Sequence, residues 1–210
     1  MLSPIVARAH AAGLRVSTHV ATALDFAAAV GAGVDEINHL PLYLGPEFCG
    51  AHRASCVIDE TTAARAAARR IVAVSTLART LDEDEHDAAA LAPRFEMERA
   101  NFERLLQAGV PLAIGSDGIS GEQPFRTALV EAWYLHAHGF GDNRTLLKLW
   151  CEATPLTIFP ARRIGRLAPG YEASFLVLAG DPIADFARVK QIRRRVKGGA
   201  ELVITRPPPR

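Results

Sequence analysis

The chain has 210 residues, is 49% hydrophobic, and carries 24 Lys and Arg against 23 Asp and Glu, for a formal charge of +1. This length and composition can bury the core of one domain, or of one domain with a small appendage. The near-neutral balance excludes nucleic acid and anionic membranes as partners attracted by bulk charge, and favours a small-molecule substrate.

Two helix–strand units open the chain. A first helix is predicted to run from Ser3, as N-cap, to a stop at Gly13, and the β-rich run 14–19 follows it. Thr22 is predicted to cap a second, alanine-rich helix, which leads into the strand 34–39. A histidine therefore closes each of the first two predicted strands.

Two further units repeat this pattern. A helix at 65–70 precedes the apolar run 71–75, which is typical of a strand buried on both faces of a parallel sheet. A helix at 94–108 then leads to the strand 110–114 and to Asp117. Strands and helices that alternate in this way predict βαβ units. Four units are half of an eight-stranded barrel, so both outer strands are expected to lack a neighbour.

The remainder of the chain changes character. Residues 125–159 are predicted to be helical, and short strands with turns follow, including 175–178 and a strand pair across the glycines at 198 and 199. Such a tail is too small to hold a core alone. The predicted division is therefore an α/β domain at 1–160 and a β appendage at 161–210.

The three cysteines, Cys49, Cys56 and Cys151, indicate the expected compartment. Their number is odd and they form no C-x-x-C pair, which argues against a disulfide framework and fits a reducing environment. The sequence also has no apolar run of about 20 residues and no leader-like start. A cytoplasmic protein without a membrane segment is expected.

Three polar residues, His19, His39 and Asp117, are predicted at the carboxyl ends of separate parallel strands. In α/β barrels the active site is built from residues at these ends. A single histidine there is more often an ordinary hydrogen-bonded residue, but three agreeing strand ends favour a shared site. Two imidazoles and a carboxylate suit Zn²⁺ or another borderline divalent cation, which would lower the pKa of a water to about 7. Asp117 would then carry the proton to the leaving group.

Short motifs at the strand ends and in the tail carry a family resemblance. They are Thr18-His19, Asn38-His39-Leu40, Ala108-Gly109-Val110 before Gly115-Ser116-Asp117, and the run from Gly165 to Leu178. Together they resemble the amidohydrolase superfamily, in particular its imidazolonepropionase-like and prolidase-like members, over nearly the whole chain. The resemblance implies strands five to eight of a metal-dependent (β/α)8 TIM barrel, followed by a piece of the small β domain. It further implies that His19, His39 and Asp117 are metal ligands and that Asp117 is also the general base.

The sequence departs from the family pattern in two respects. The family takes a His-x-His pair from strand one, and usually a carboxylated lysine or a glutamate from strand four, and both positions would lie upstream of Met1. Ser174 stands where the family commonly has aspartate after alanine. The remaining ligands are expected from a missing N-terminal half or from a second copy in a homo-oligomer.

Two functions of different classes follow from this pattern. One is hydrolysis of amide or cyclic amide C–N bonds in a small molecule, such as a cyclic amide or a dipeptide, by metal-activated water. The alternative is a non-catalytic half-barrel remnant that serves as a binding or assembly module, because a fold does not carry its function when the site is incomplete.

Other polar clusters are interpreted as structural. His136 and His138 spell a His-x-His, but they end a helical stretch, in which residues two apart do not share a face. The acidic run 82–87 is typical of a solvated surface. The arginines at 193–195 lie in a predicted strand, whose alternation prevents one continuous basic patch, so nucleic-acid binding is not expected.

The connection after the second strand holds a cluster with zinc-like spacing, namely Cys49, His52, Cys56 and Asp59. A structural zinc site normally has four cysteine or histidine ligands, and only three are present. The favoured interpretation is a loop, residues 41–59, that folds over the barrel mouth as a substrate wall. Tyr43 and Phe48 would be its apolar contacts.

Overall fold

Four short parallel strands form the larger of two sheets in the computed structural model, which describes residues 2–42, 55–78, 88–117 and 127–203. The strands are β1 (Ser17–His19), β2 (Glu36–Asn38), β3 (Val72–Ser75) and β4 (Leu112–Ile114). They lie side by side in chain order, with His19 paired to Asn38 and Ser75 paired to Ile114. All four carboxyl ends therefore point to one edge of the sheet.

Helices separate the strands and continue after them. Their bounds are α1 (Leu2–Ala11), α2 (Ala23–Ala32), α3 (Glu60–Ala68), α4 (Ala88–Gln107), α5 (Ala128–Ala137), α6 (Asn143–Lys148) and α7 (Pro155–Ile158). Thr22 and Asp25 form the reciprocal capping box that begins α2. α1 already begins at Leu2, so Ser3 lies inside the helix and is not its N-cap as predicted. The alternation of helices and parallel strands confirms the α/β class.

The hydrophobic core lies between this sheet and its helices. Every residue of β3 is buried, and Phe26, Phe102 and Phe140 are among the largest fully buried side chains. Phe102 and Phe140 meet edge to face, with ring centroids 5.4 Å apart. These contacts fix the central strands, and with them the site at their carboxyl ends.

A second sheet is antiparallel and contains β5 (Phe175–Leu178), β6 (Ile192–Lys197) and β7 (Ala200–Glu201). Its strands are largely exposed, and Leu176 has 54% of its surface accessible. The 3-10 turn Phe186–Lys190 connects it to the core, because Phe186 is buried and its ring lies 6.2 Å from that of Trp133. This turn thus packs the appendage on the core.

The chain passes very close to itself where the tail begins. A π-helical segment, Leu149–Ala153, joins α6 to the residues before α7. Gly165 has φ +89°, and a Cβ built there would lie 1.9 Å from the carbonyl oxygen of Cys151. Only glycine fits both that backbone conformation and that space.

The cysteine expectation needs one correction. Cys56 is disulfide-bonded and Cys151 is free, so the expectation of no disulfide is wrong for Cys56. The sequence contains no C-x-x-C motif, so the spacing of the cysteines did not reveal this bond. The predicted roles of Cys49, His52, Tyr43 and Phe48, and of the acidic run 82–87, lie outside the described residues. None of the described helices is long and apolar enough to cross a membrane.

Candidate active site

The carboxyl ends of the four strands surround a cavity of about 300 Å³. Its lining residues are His19, Asn38, His39, Val74, Thr76, Gly115, Ser116 and Asp117. Each strand contributes its last residue or one of the residues that immediately follow it. All three predicted site residues, His19, His39 and Asp117, therefore line the same cavity.

A chain of close polar contacts links three of these side chains. Nδ1 of His19 lies 2.7 Å from Nε2 of His39, and Nδ1 of His39 lies 2.6 Å from Oγ1 of Thr76. In the tautomer that donates its Nδ1–H to Thr76, His39 turns the lone pair of Nε2 toward His19 and the cavity. Metal-binding histidines in proteins are oriented in the same way, by a hydrogen-bond partner on the ring nitrogen that faces away from the metal. We call Nδ1 of His39, which faces Thr76, its outer nitrogen, and Nε2, which faces His19, its inner nitrogen.

Two of the predicted ligands have an unusual backbone conformation. His39 has φ 72° and Asp117 has φ 42°, both in the left-handed region that L-residues rarely adopt. Strain of this kind persists where the surroundings fix the residue, and it is concentrated at functional sites. His39 is also only 1% exposed, whereas His19 at the end of β1 is exposed.

Gly115 lets the end of β4 approach the end of β3. Its amide nitrogen donates to the carbonyl oxygen of Ser75 at 2.9 Å. A Cβ at this position would lie 2.7 Å from Cγ1 of Val74 and 3.1 Å from Cγ2 of Thr76. The absence of a side chain at Gly115 therefore brings Asp117 to the cavity that Thr76 lines.

The sequence model of the amidohydrolase family matches residues 1–200. The chain belongs to the amidohydrolase family. This confirms the resemblance based on the strand-end motifs, and members of this family generally use a divalent metal. No curated protein matches the chain significantly.

Solved structures with the same fold include other amidohydrolases. One described as an amidohydrolase has 24% identity and a TM-score of 0.69, and the match covers 96% of this chain and 48% of that protein's chain. The A. niger ochratoxinase has 25% identity and a TM-score of 0.69, with coverages of 95% and 44%. A Xaa-Pro dipeptidase has 20% identity and a TM-score of 0.67, with coverages of 96% and 48%. This chain thus spans about half the length of these proteins.

Two nitrogens in the cavity lie near the separation of neighbouring nitrogen ligands in a zinc site. Two nitrogen ligands, each about 2.0–2.1 Å from one tetrahedral Zn²⁺, are about 3.3 Å apart. The 2.7 Å between His19 Nδ1 and His39 Nε2 is close to this separation, so a small ring movement would accommodate a cation. Asp117 lines the same cavity. Among the described residues, however, no three His, Cys, Asp or Glu side chains are grouped closely enough to hold a metal ion.

The His-x-His motif at His136 and His138 lies at a helix end, as predicted from the sequence. His136 is in the last turn of α5 and stacks on Phe186, with ring centroids 4.6 Å apart. His138 follows the helix and stacks on Phe95 at 4.7 Å, and burial lowers its pKa. The two rings pack on different aromatic partners.

The zinc-like cluster also loses two of its candidate ligands. Asp59 is the N-cap of α3, and its carboxylate accepts hydrogen bonds from the amide and hydroxyl groups of Thr62 at 2.8 and 2.7 Å. These hydrogen bonds lower the pKa of Asp59. Cys56 is in a disulfide. Both residues have structural roles.

Two buried carboxylates were not identified from the sequence, Glu98 on α4 and Glu131 on α5, which are 0% and 1% exposed. Glu98 accepts hydrogen bonds from Nε of Arg94 and from the hydroxyl of Tyr134, both at 2.9 Å. Burial raises the pKa of Glu98, and raises that of Glu131 to about 7. The available signal for Glu131 was a single charge within the apolar run of α5.

Proposed function

We propose that this chain provides strands five to eight of a metal-dependent amidohydrolase barrel that hydrolyses amide or cyclic amide C–N bonds of a small molecule. Residues 1–160 would be the half-barrel and 161–210 part of the small β domain. The observation that carries the proposal is the convergence of His19 Nδ1 and His39 Nε2, in a cavity that Asp117 also lines. Prolidase and phenylurea hydrolase B among the fold neighbours support hydrolysis as the reaction class.

The proposed metal ligands are His19, His39 and Asp117. Two imidazoles and one carboxylate favour Zn²⁺ or a similar borderline divalent cation. When bound, such a cation lowers the pKa of a water and makes a nucleophile available at neutral pH. His39 would be held for this role by Thr76, whose hydroxyl meets its outer nitrogen.

Asp117 is the proposed general base. Its carboxylate would accept the proton of the attacking water and donate it to the leaving nitrogen, so that one group serves both halves of the reaction. The left-handed backbone at Asp117 and the close approach at Gly115 support this role, because they bring the carboxylate to the cavity shared with the histidine pair.

The remaining ligands are proposed to come from a partner. This chain spans about half the length of its structural neighbours, and Ser17 and His19 on β1 are exposed. We infer that either a polypeptide segment like the other half of these neighbours or a second copy of the chain adds strands there and brings further ligands to the cavity.

A second candidate function is a non-catalytic binding or assembly module. The observation that favours it is the absence of a three-residue metal cluster within the described ranges. In that case the cavity would bind a small molecule or a partner side chain, and the purified chain would retain no metal.

Metal analysis after exhaustive dialysis tests the proposed function. We expect the parent chain to retain a divalent cation weakly and His19→Ala and His39→Ala to lose it. His10→Ala is the matched control, because His10 is a surface histidine that contacts Asp35 at 2.9 Å. Equal metal content in all four proteins would contradict the ligand assignment.

A further inference from the structure

The side chain of Glu131 holds the segment that follows β3. Its Oε1 accepts hydrogen bonds from the hydroxyl of Ser75 at 2.5 Å and from the amide of Leu77 at 3.0 Å. Its Oε2 accepts from the amide of Ala78 at 2.7 Å. The residue between the first two donors is Thr76. Glu131 therefore holds the side chain of Ser75 before Thr76 and two backbone amides after it.

Thr76 is the residue whose hydroxyl meets the outer nitrogen of His39. The Oγ1–Nδ1 distance is 2.6 Å, and both residues are buried. The inner nitrogen of His39 in turn lies 2.7 Å from His19. A continuous set of contacts thus runs from α5 through the β3 segment to the histidine pair.

We propose that Glu131 is a positioning residue for the histidine pair, acting on the ring of His39 through Thr76. Its proposed effect on metal affinity rests on the proposed function, whereas its effect on the orientation of the His39 ring does not. Glu131 touches neither histidine. Its role is to keep the Thr76 hydroxyl where it accepts the Nδ1–H of His39.

Only a carboxylate can make this set of bonds. All three partners of Glu131 are donors, and the carboxylate, which is ionised above its pKa of about 7, then offers acceptors at both oxygens. A glutamine offers one acceptor oxygen, and its NH2 group would face a donor. Glu131→Gln therefore preserves the size of the side chain while removing at least one hydrogen bond to the segment.

The charged and titratable groups around Glu131 provide a control within the same core. Glu98 on α4 is the nearby acidic group, and its repulsion adds to the effect of burial in raising the pKa of Glu131. Glu98 is bonded to Arg94 and Tyr134, and neither belongs to the segment after β3. Glu98→Gln thus perturbs an equally buried carboxylate without touching that segment.

The primary experiment is a long-range ¹H–¹⁵N NMR measurement of the His39 tautomer in the metal-free chain at pH 8, where Glu131 is ionised. In the parent we expect a single Nδ1–H tautomer. Glu131→Gln is expected to give a mixture of tautomers, while Glu98→Gln keeps the parent signals. Circular dichroism and thermal unfolding establish that each variant is folded.

Zn²⁺ affinity, measured by chelator competition, is the second readout. Loss of an outer partner of a metal-binding histidine typically lowers affinity 10–100-fold, and we expect a decrease of about tenfold in Glu131→Gln. Thr76→Val, which removes the hydroxyl at nearly constant shape, should cause a similar decrease. The double variant should lose little more than either single one, because both act on one path.

The outcomes separate the two proposals. A folded Glu131→Gln with parent tautomer signals and parent affinity would overturn the positioning role, as would an equal change in Glu98→Gln. If the parent binds no Zn²⁺ but only Glu131→Gln changes the tautomer, the positioning role stands and the proposed function fails. Should Glu131→Gln not fold, Ser75→Ala replaces it, since it removes one bond to Glu131; unchanged His39 signals would then overturn the proposal.

Discussion

The two outer strands of the parallel sheet, β1 and β4, differ in how far the rest of the chain buries them. β4 is fully buried, and the amide of Ile114 donates to the hydroxyl of Thr154 at 2.9 Å. On β1, Ser17 and His19 are exposed. Among the described residues no further strand pairs with either β1 or β4, as expected, but the helical segment after α6 supplies an acceptor for the backbone of β4.

This difference divides the candidate site into two halves. His39 and Thr76, which are buried, and Asp117, which follows β4, belong to the covered half. His19 belongs to the open half. A site built in this way is preorganised on one side and depends on a partner at β1 for the other.

The largest expected effect is on catalysis from the covered half. In an assembly that hydrolyses amide bonds, Asp117→Asn should lower kcat by about 10²–10⁴-fold, because an amide cannot accept the proton of the attacking water. Circular dichroism should remain that of the parent. Asp181→Asn, on an exposed tail carboxylate, is the control and should retain full activity. A folded and active Asp117→Asn would remove Asp117 from the role of base.

The covered half should also dominate the pH dependence of stability. Burial raises the pKa of Glu131 from the ordinary glutamate value of 4.5 to about 7. Between these two pH values the folded state holds a proton that the unfolded state has released. The contribution of neutral Glu131 is full below pH 4.5 and is lost as the pH rises to about 7. A shift of this size corresponds to about 3 kcal/mol.

Chemical denaturation at pH 4.5 and pH 8 measures this effect. The unfolding free energy of the parent should decrease from pH 4.5 to pH 8. Glu131→Gln, which is neutral at both pH values, should show a smaller decrease. Glu36→Gln, at the first residue of β2, the strand that pairs with β1, should keep the parent dependence of unfolding free energy on pH. The same slope in all three proteins would show that the β3 end is not the pH-sensitive region.

A smaller effect tests the cover of β4 directly. Thr154→Val keeps a branched side chain of similar size but leaves the amide of Ile114 without its acceptor, which should cost about 1–3 kcal/mol of unfolding free energy. Ser17→Ala on exposed β1 should stay within about 0.5 kcal/mol of the parent. Equal losses would mean that the two edges do not differ energetically.

A substitution on β1 itself is expected to change the assembly of the chain while causing the smallest change in stability. An uncovered strand edge is a template for another chain, and a lysine there opposes pairing. Light scattering at micromolar concentration should detect association of the parent, and Ser17→Lys should shift it toward the monomer with nearly unchanged unfolding free energy. A parent that is already a stable monomer, with no exposed apolar surface in a dye-binding assay, would show that β1 needs no partner.

Much of this architecture was readable from local sequence. The capping box at Thr22 and Asp25 and the histidines that end two strands follow from short-range patterns that one stretch of chain determines by itself. The observed strands are shorter than predicted: β1 is limited to Ser17–His19 within the run 14–19, because only these residues pair with β2.

The support of the site was not readable in the same way. Glu131 meets Ser75 across 56 residues of chain, and Thr154 meets Ile114 across 40. Such contacts depend on how whole helices and strands pack against each other, so neither residue type nor local spacing predicts them. Asp59 was an intermediate case, because an aspartate three residues before Thr62 already has the pattern of a helix cap.

The crossing of Gly165 over the Cys151 carbonyl has a consequence for engineering. One inserted or deleted residue between 153 and 165 would move Gly165 away and set a side chain against that oxygen. Loops elsewhere in a domain usually tolerate such changes at small cost. Chimaeras that exchange the β appendage between amidohydrolases should therefore take their junctions outside residues 149–165, and transfer that stretch as one uninterrupted piece.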